Sequence, residues 1–78
     1  MKLTLYHFES CPYCRRVRDF LSAQNISISM KDTMLDPANR QELIKIGGKS
    51  QVPCLIIDGK ALYESIDIIE WLRKNYKQ

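Results

Sequence analysis

The segment LTLYHFESCPYCRRVRDFL, residues 3–21, carries the strongest structural signals of this 78-residue chain. Residues 3–7 alternate apolar and polar side chains, a pattern that predicts a short strand. Pro12 suits the first turn of a helix, which is expected to continue as far as residues 24–25. Apolar side chains recur after the proline at helical spacing: Val17, Phe20 and Leu21. The segment therefore predicts a strand and then a helix, with Cys11 at the amino end of the helix.

The middle of the chain predicts a second strand and a second helix. Residues 26–31 alternate apolar and polar side chains, which favours a strand. Asp36 followed by Pro37 is typical of a helix start, and Gly47 followed by Gly48 is typical of a helix end. The apolar face of this helix is expected to comprise Leu43, Ile44 and Ile46. The second helix is therefore short.

The last third of the chain predicts a hairpin and a third helix. Residues 54–57 and 60–63 have strand character, and the Asp58-Gly59 pair between them tolerates the positive backbone angles of a two-residue turn. Ser65 is expected to cap the last helix, and Lys77 to lie favourably near its end. The apolar face of this helix is predicted to contain Ile66, Ile69, Leu72 and Tyr76. The order β-α-β-α-β-β-α implies an α/β fold, a four-stranded mixed sheet flanked by three helices.

Composition indicates a soluble globular protein. Apolar residues make up 45% and charged residues 27% of the chain, and no repeat or low-complexity segment interrupts it. We therefore expect one domain over residues 1–78, acting as a monomer. The formal net charge is only +3, and a nucleic-acid surface would need a longer basic stripe with interleaved aromatic residues. No stretch has the length of a signal-peptide core or a membrane span, so we expect a cytoplasmic protein that binds neither nucleic acid nor membrane.

The three cysteines point to chemistry rather than to a structural disulfide framework, which needs an even number and an oxidising compartment. Disulfide exchange requires a thiolate, and the N–H groups and dipole at a helix start favour an anion at Cys11. Arg15, Arg16 and Arg18 follow closely and attract anions to the same region. Cys14 is spaced to attack a mixed disulfide on Cys11 and release the substrate. We therefore predict Cys11 as the catalytic nucleophile and Cys14 as the resolving cysteine.

Other interpretations of these residues stay open at this point. A C-x-x-C pair also forms half of many zinc sites, and Cys54 with His7 would complete a set of four ligands. The position of the pair at a helix start favours redox chemistry, so we assign no metal site. Cys54 is expected to be buried as a small hydrophobic residue, and exposure near Cys11 is the alternative. Tyr13 either lies on the helix surface or lines a docking groove.

Three short motifs stand together in this chain: Cys11-Pro12-Tyr13-Cys14 after the first strand, Val52-Pro53 before the third, and Asp58-Gly59 in the hairpin. In this combination they resemble the glutaredoxin family, over essentially the whole chain. The resemblance implies a thioredoxin-like fold and glutathione as the reductant. It also implies a cis bond before Pro53, with the Val52 backbone bound to the cysteinyl part of glutathione.

The pair Glu64-Ser65 carries a second resemblance. It is similar to the Glu-Ser pair that holds the γ-glutamyl end of glutathione at a helix start in the N-terminal domains of glutathione S-transferases, and a helix start suits an anion. An ordinary acidic residue followed by a helix cap is the alternative. With Tyr13, Val52 and Pro53, this pair completes the glutathione site that the two resemblances imply.

Three features depart from the glutaredoxin pattern, and one of them is Glu64-Ser65, which replaces the acidic pair that follows the glycine-rich turn. Phe8 stands three residues before Cys11, where the family usually carries a lysine that supports the thiolate and glutathione. Gln51 replaces the threonine that usually precedes Val-Pro. Arg15 is expected to substitute in part for the missing positive charge.

The resemblance implies a glutathione-dependent thiol–disulfide oxidoreductase that reduces protein disulfides and protein–glutathione mixed disulfides. Glutathione is then a co-substrate, and no cofactor is tightly bound. The expected partners are glutathione and proteins that contain disulfides or are glutathionylated. Two other function classes stay open, namely a metal or iron–sulfur carrier and a glutathione-binding module without catalysis.

Overall fold

The predicted strands and helices are all present, in their predicted order, in the computed structural model, which describes residues 2–76. They are β1 (Leu3–His7), α1 (Pro12–Ala23), β2 (Ser29–Asp32), α2 (Pro37–Gly47), β3 (Cys54–Ile57), β4 (Lys60–Tyr63) and α3 (Ser65–Asn75). This confirms the predicted α/β architecture. Lys77 lies outside the described residues. Within residues 2–76, no helix combines the length and the apolar character needed to cross a membrane.

At one end of the sheet, β1 and β2 finish and β3 begins. The strand order of the sheet is β2-β1-β3-β4, and β1 runs parallel to β2 but antiparallel to β3. β1 therefore ends at His7, which pairs with Asp32 at the end of β2, while Tyr6 pairs with Cys54 at the start of β3. As a result, the loop that leads from β1 to Cys11 and the segment that precedes β3 emerge at the same edge of the sheet.

Helices cover both faces of the sheet. On the face covered by α1 and α3, the buried cluster contains Leu3, Leu5, Val17, Leu21, Leu55, Ile68 and Leu72. On the face covered by α2, it contains Tyr6, Leu43, Cys54 and Ile56. Alternate residues of β1 and β3 thus face opposite sides, as the period of a strand requires. Full burial of a leucine or isoleucine side chain contributes about 1.5–3 kcal/mol, so the two clusters hold the helices on the sheet.

The second strand is shorter than the sequence pattern predicts. β2 begins at Ser29, because its pairing with β1 starts there, opposite Thr4. Ile26 and Ile28 precede the strand and pack, half-buried, against the cluster under α1 and α3. Met30 is 51% exposed, since β2 lies at the edge of the sheet. The alternation of residues 26–31 therefore marked an extended segment, and only its last part pairs with β1.

Three details predicted for the helices are wrong. Ser65 is the first residue of α3 rather than its cap, and Glu64 occupies the cap position without a side-chain hydrogen bond to the helix. The buried face of α3 is formed by Ile68 and Leu72, whereas Ile66 is 69% exposed. Packing against α1 and the sheet sets the rotation of this helix. In α2, Leu43 is fully buried, but the predicted face member Ile46 is exposed.

Candidate active site

Cys11 occupies the N-cap position of α1. Its backbone is extended, and its Sγ accepts a hydrogen bond of 3.3 Å from the Cys14 N–H, one of the donors that the start of a helix leaves unpaired. Pro12 follows at the first helical position, where the lack of an N–H costs nothing. The Cys11 N–H in turn donates to the Phe8 carbonyl at 3.2 Å. The sulfur is thus held where a helix start favours negative charge.

Cys14 lies one turn further into α1 and is fully buried, whereas Cys11 retains 6% exposure. Burial, together with the hydrogen bond to Cys11, raises the pKa of the Cys14 thiol to about 12. The burial effect is the largest, because a thiolate loses its hydration there. Cys14 is therefore a thiol at neutral pH, and Cys11 is the sulfur that solvent reaches first.

A cleft of about 390 Å³ contains all the residues that the resemblance assigned to glutathione. It is lined by Tyr13, Gln51, Val52, Pro53, Glu64 and Ser65. The Val52-Pro53 bond is cis, as the resemblance implied. The sequence left open whether Tyr13 lies on the helix surface or lines a groove. Its side chain does both, since it is 58% exposed and belongs to the cleft lining. Gln51 belongs to this set too, although the sequence marked it only as a departure from the family.

Glu64 and Gln51 form the polar end of this cleft. Gln51 Nε2 donates to Glu64 Oε2 at 3.1 Å. Glu64 has a φ of 72° and a ψ of 121°, a sparsely populated conformation for a residue other than glycine, and such strain is concentrated at functional sites. Directly after it, Ser65 is 6% exposed and begins α3. A carboxylate beside unpaired helix N–H groups suits a ligand that carries both an ammonium and a carboxylate group.

Val52 lines the cleft, and its main-chain groups have no backbone partner in the described residues. It lies in the segment before β3, outside the paired registers of the sheet. Across the part of the chain that the structure describes, it makes no backbone hydrogen bond to another backbone group. Its N–H and C=O are therefore available to an extended ligand, in the way that a strand edge accepts a peptide.

His7 is a packed residue at the end of β1 rather than a solvent-facing one. It is 8% exposed, and Arg18 Nη1 lies 3.2 Å from its Nδ1. Burial, and secondarily the charge of Arg18, lower the pKa of the imidazole. Because arginine is always a donor, Nδ1 acts as the acceptor and the proton of the neutral ring resides on Nε2.

Arg18 contacts the loop before Cys11, and the sequence analysis did not predict this contact. Its side chain donates to the Phe8 carbonyl at 3.2 Å and to the Glu9 carbonyl at 3.1 Å. The available signal was its spacing of four residues from Cys14, since residues four apart share one helix face and the Cys14 face is buried. That spacing predicts a position beside the loop before Cys11.

Phe8 stands where the family usually has a lysine, and its side chain supplies neither a charge nor a hydrogen-bonding group. It lines an apolar hollow of about 440 Å³ with Glu9, Ser10, Asp32, Met34 and Leu35. Met34 and Leu35 are 70% and 85% exposed. The loop before Cys11 therefore presents an apolar wall where a positive charge was expected by resemblance.

Cys54 is fully buried, as predicted, on the α2 face of the sheet beside Tyr6 and Leu43. Burial raises the pKa of its thiol. Among residues 2–76, no group of three or more histidine, cysteine, aspartate or glutamate side chains is arranged to hold a metal ion. The four-ligand set that the sequence left open, with Cys54 and His7, is therefore not assembled.

The chain is similar in sequence and in structure to glutaredoxins and to the N-terminal domains of glutathione transferases. The family model "Glutathione S-transferase, N-terminal domain" matches residues 5–78. Glutaredoxin 3 of Escherichia coli K12 is 36% identical over 56 residues, which cover 72% of this chain and 68% of the relative. Prostaglandin E synthase 2 of Danio rerio is 33% identical over 97% of this chain. The structure of glutathione transferase Omega 3C from Trametes versicolor superposes with a TM-score of 0.82, at 30% identity and over 97% of this chain.

The extent of these matches differs between relatives. The chain spans 19% of the prostaglandin synthase and 34% of the transferase. The aligned region covers 68% of glutaredoxin 3. The match to the family model covers nearly the whole chain, in agreement with the sheet order and the cleft described above. The chain belongs to the family of glutaredoxins and glutathione S-transferase N-terminal domains, which have the thioredoxin-like fold.

Proposed function

We propose that this chain catalyses glutathione-dependent thiol–disulfide exchange and reduces protein disulfides and protein–glutathione mixed disulfides. Its family gives it a glutathione-related function on a thioredoxin-like fold. The single observation that carries the finer proposal is the position of Cys11. Its Sγ accepts a helix-start N–H at 3.3 Å, and the neighbouring Tyr13 lines the cleft that ends at Glu64. A nucleophile and a ligand cleft therefore meet at the start of α1.

The first step is attack of the Cys11 thiolate on the glutathione sulfur of a mixed disulfide. The bond between the two substrate sulfurs breaks, the protein leaves as a thiolate that takes up a proton, and a disulfide forms between Cys11 and glutathione. A second glutathione thiolate then attacks the glutathione sulfur of this intermediate. Glutathione disulfide leaves, and the Cys11 thiolate is regenerated. Each cycle therefore consumes one free glutathione, and the other half of the glutathione disulfide comes from the substrate.

Protein disulfides require Cys14 as well. Attack by Cys11 leaves one substrate sulfur bound to Cys11, and Cys14 then attacks the Cys11 sulfur, which releases the substrate as a dithiol. The raised pKa of Cys14, about 12, means that its proton must leave as it attacks. Two glutathione molecules subsequently reduce the disulfide between Cys11 and Cys14. The reaction with mixed disulfides uses Cys11 alone, and this monothiol route avoids the proton transfer from Cys14.

Glutathione fits the cleft in one orientation. Its cysteinyl backbone would pair with the main-chain groups of Val52 next to Pro53, which places the glutathione sulfur towards Cys11. Its γ-glutamyl end carries an ammonium and a carboxylate, which match the Glu64 carboxylate and the N-terminus of α3. The cysteinyl residue and the γ-glutamyl end of the tripeptide would thereby have complementary groups within the cleft lining.

Location and assembly complete the proposal. Free thiols suit a reducing compartment, so we propose a cytoplasmic, monomeric protein. Glutathione serves as a co-substrate without a tightly bound cofactor, and the partners are disulfide-containing or glutathionylated proteins.

The deciding experiment measures glutathione-dependent reduction of a peptide–glutathione mixed disulfide by the native protein, Cys11→Ser and Cys14→Ser. We expect Cys11→Ser to lose essentially all catalysed turnover, because a hydroxyl at this position is not ionised at neutral pH. Cys14→Ser should retain turnover on this substrate, because the monothiol route does not use Cys14. On a peptide with an internal disulfide, both variants should be inactive.

Two results would contradict the proposal. Turnover that survives in Cys11→Ser would exclude Cys11 as the nucleophile. Binding of glutathione by the native protein without turnover would instead identify a binding module. Metal analysis of anaerobically purified native protein belongs to the same experiment, since stoichiometric metal together with absent turnover would indicate a carrier.

A further inference from the structure

The guanidinium of Arg18 joins α1 to the loop that carries Cys11. Arg18 Nη1 lies 3.2 Å from His7 Nδ1 and 3.2 Å from the Phe8 carbonyl oxygen, and Nη2 lies 3.1 Å from the Glu9 carbonyl oxygen. The side chain is half-buried, so these bonds are partly shielded from water. One planar group therefore holds the end of β1 and two successive carbonyls of the loop.

The Phe8 carbonyl links this contact to the nucleophile. It accepts the Arg18 Nη1 hydrogen bond and also the Cys11 N–H, each at 3.2 Å. A carbonyl oxygen has two lone pairs and serves both donors. Whatever fixes this oxygen therefore fixes the main chain of Cys11. The fork of a guanidinium suits two carbonyls at once, which a lysine ammonium, a point charge, does less well.

The other two arginines near Cys11 are directed elsewhere. The Arg15 side chain is 75% exposed and lies 3.8 Å from Asp19, so the expected substitution by Arg15 for the missing lysine gains no support. Arg16 lies over the ring of Tyr13 at 5.6 Å from the centroid. Arg18 is the half-buried member of the three. It brings a permanent positive charge to the C-x-x-C pair from behind the loop.

The charge of Arg18 acts on the groups around it. It lowers the pKa of Cys14 against the larger, opposite effect of burial. It also lowers the pKa of His7, which burial already lowers, so the imidazole does not compete as a second cation. The remaining charged groups that face His7 are Asp32 and Glu9, both negative. Asp32 accepts hydrogen bonds from the N–H groups of Met34 and Leu35 in the turn that follows β2.

We propose that Arg18 is a positioning residue for thiol–disulfide exchange, whose fork holds the loop of Phe8 and Glu9 so that the Cys11 sulfur stays beside the helix-start N–H groups. This inference rests on the proposed function, because it takes Cys11 as the nucleophile. It assigns to a residue on the inner side of α1 the task that the family gives to a lysine three residues before the nucleophile, where this chain has Phe8.

The test compares Arg18→Met and Arg18→Lys with the native protein and with Arg40→Met. Arg40 is exposed on α2, so its variant loses the same charge away from the site. The readout is the rate of Cys11 alkylation by iodoacetamide as a function of pH, with the modified cysteine identified by peptide mass spectrometry. We expect Arg18→Met to move the pH–rate profile up by about half a pH unit, which is about a threefold lower rate near neutral pH. Arg18→Lys keeps the charge and a donor for one carbonyl but not the fork, so it should recover part of this loss, and Arg40→Met should match the native protein.

Two outcomes would overturn the inference. An unchanged profile in Arg18→Met would show that neither the charge nor the fork acts on Cys11. Equal losses in Arg18→Met and Arg18→Lys, together with an equal drop in melting temperature, would show a structural role only. Alkylation does not require turnover, so these outcomes are distinguishable from failure of the proposed function, which appears in the native protein as absent mixed-disulfide reduction.

Discussion

The two thiols of the C-x-x-C motif have different environments although only two residues separate them. Cys11 caps α1 and accepts an N–H, whereas Cys14 is fully buried and its pKa is raised to about 12. Burial removes water from a potential thiolate, and this penalty exceeds the help that the charge of Arg18 provides. The motif thus contains one sulfur at a helix start and one sulfur that burial keeps in the thiol form.

The raised pKa of Cys14 predicts a loss of stability in alkali. Its ordinary value is 9.0, so above about pH 9 the unfolded chain releases a proton that the folded chain keeps until about pH 12. The contribution of Cys14 is therefore complete below pH 9 and declines as the pH rises. Urea unfolding under reducing conditions should show a slope that is steeper in the native protein than in Cys14→Ser, by up to about 1.4 kcal/mol per pH unit near pH 10.

This comparison has an internal control. Cys54, Tyr6 and Tyr63 also have raised pKa values, so the variant should keep a residual slope. Between pH 7 and pH 8 the two proteins should have parallel stabilities, whatever the fixed cost of burying a hydroxyl. Parallel behaviour up to pH 10.5 would refute the assignment of the buried thiol.

At the scale of elements, the end of α2 is locked to β4 through one glycine. The Tyr63 hydroxyl donates to the Gly47 carbonyl oxygen at 3.1 Å, and the Tyr63 ring lies under Lys49 Nζ, 4.4 Å from the centroid. A side chain on Gly47 would overlap the Tyr63 hydroxyl. Gly47 therefore ends α2 and also allows α2 to approach the hairpin of β3 and β4 closely.

Gly47→Ala is accordingly predicted to destabilise the fold by about 1–3 kcal/mol, because a packed tyrosine must shift. Helix propensity alone would predict the opposite, a gain of up to about 1 kcal/mol. Chemical denaturation of the four members of a double-mutant cycle with Tyr63→Phe separates these effects. Removal of the hydroxyl should relieve most of the cost of the alanine, whereas strictly additive effects would contradict the overlap.

At the scale of the whole molecule, the cleft exists only because three distant segments meet. Tyr13 comes from α1, residues 51–53 precede β3, and Glu64 with Ser65 begins α3. The antiparallel pairing of β1 with β3 brings the first two segments to one sheet edge. A ligand in this cleft would bind the folded state and not the unfolded chain.

Glutathione binding is therefore predicted to raise the free energy of unfolding. S-methylglutathione, which cannot exchange disulfides, should stabilise the native protein by about 1.4 kcal/mol at a concentration ten times its dissociation constant. Glu64→Gln should lose most of this increase, since the carboxylate partner of the ligand ammonium is removed. Glu70→Gln is the matched control, because Glu70 lies in the same helix and pairs on the surface with Arg73.

The outcome of this titration bears on the cleft alone. Absence of stabilisation in the native protein would contradict glutathione binding there. Equal stabilisation of Glu64→Gln and Glu70→Gln would leave the cleft without its proposed polar end, and would contradict the orientation given for the γ-glutamyl group.

Much of the fold was predictable because its signals are local. Pro12 at a helix start, Gly48 at a helix end and Asp58-Gly59 in a turn act on the backbone within a few residues. The predicted bounds of β1, β3 and β4 agree with the structure for this reason. The roles proposed for the C-x-x-C pair also follow from local placement, since the helix that begins after Cys11 makes the first sulfur its cap.

The tertiary structure alone decided the features that depend on distant partners. The start of β2 follows from pairing with β1, and the buried face of α3 from packing on the sheet. Gln51 joined the cleft because the strand order places the segment before β3 beside the start of α1. Arg18 contacts the loop before Cys11 because α1 packs back against β1, which the helix pattern alone does not specify. Local patterns specify backbone conformation, but which side chains meet depends on how the helices and strands pack, and that is a property of the whole chain.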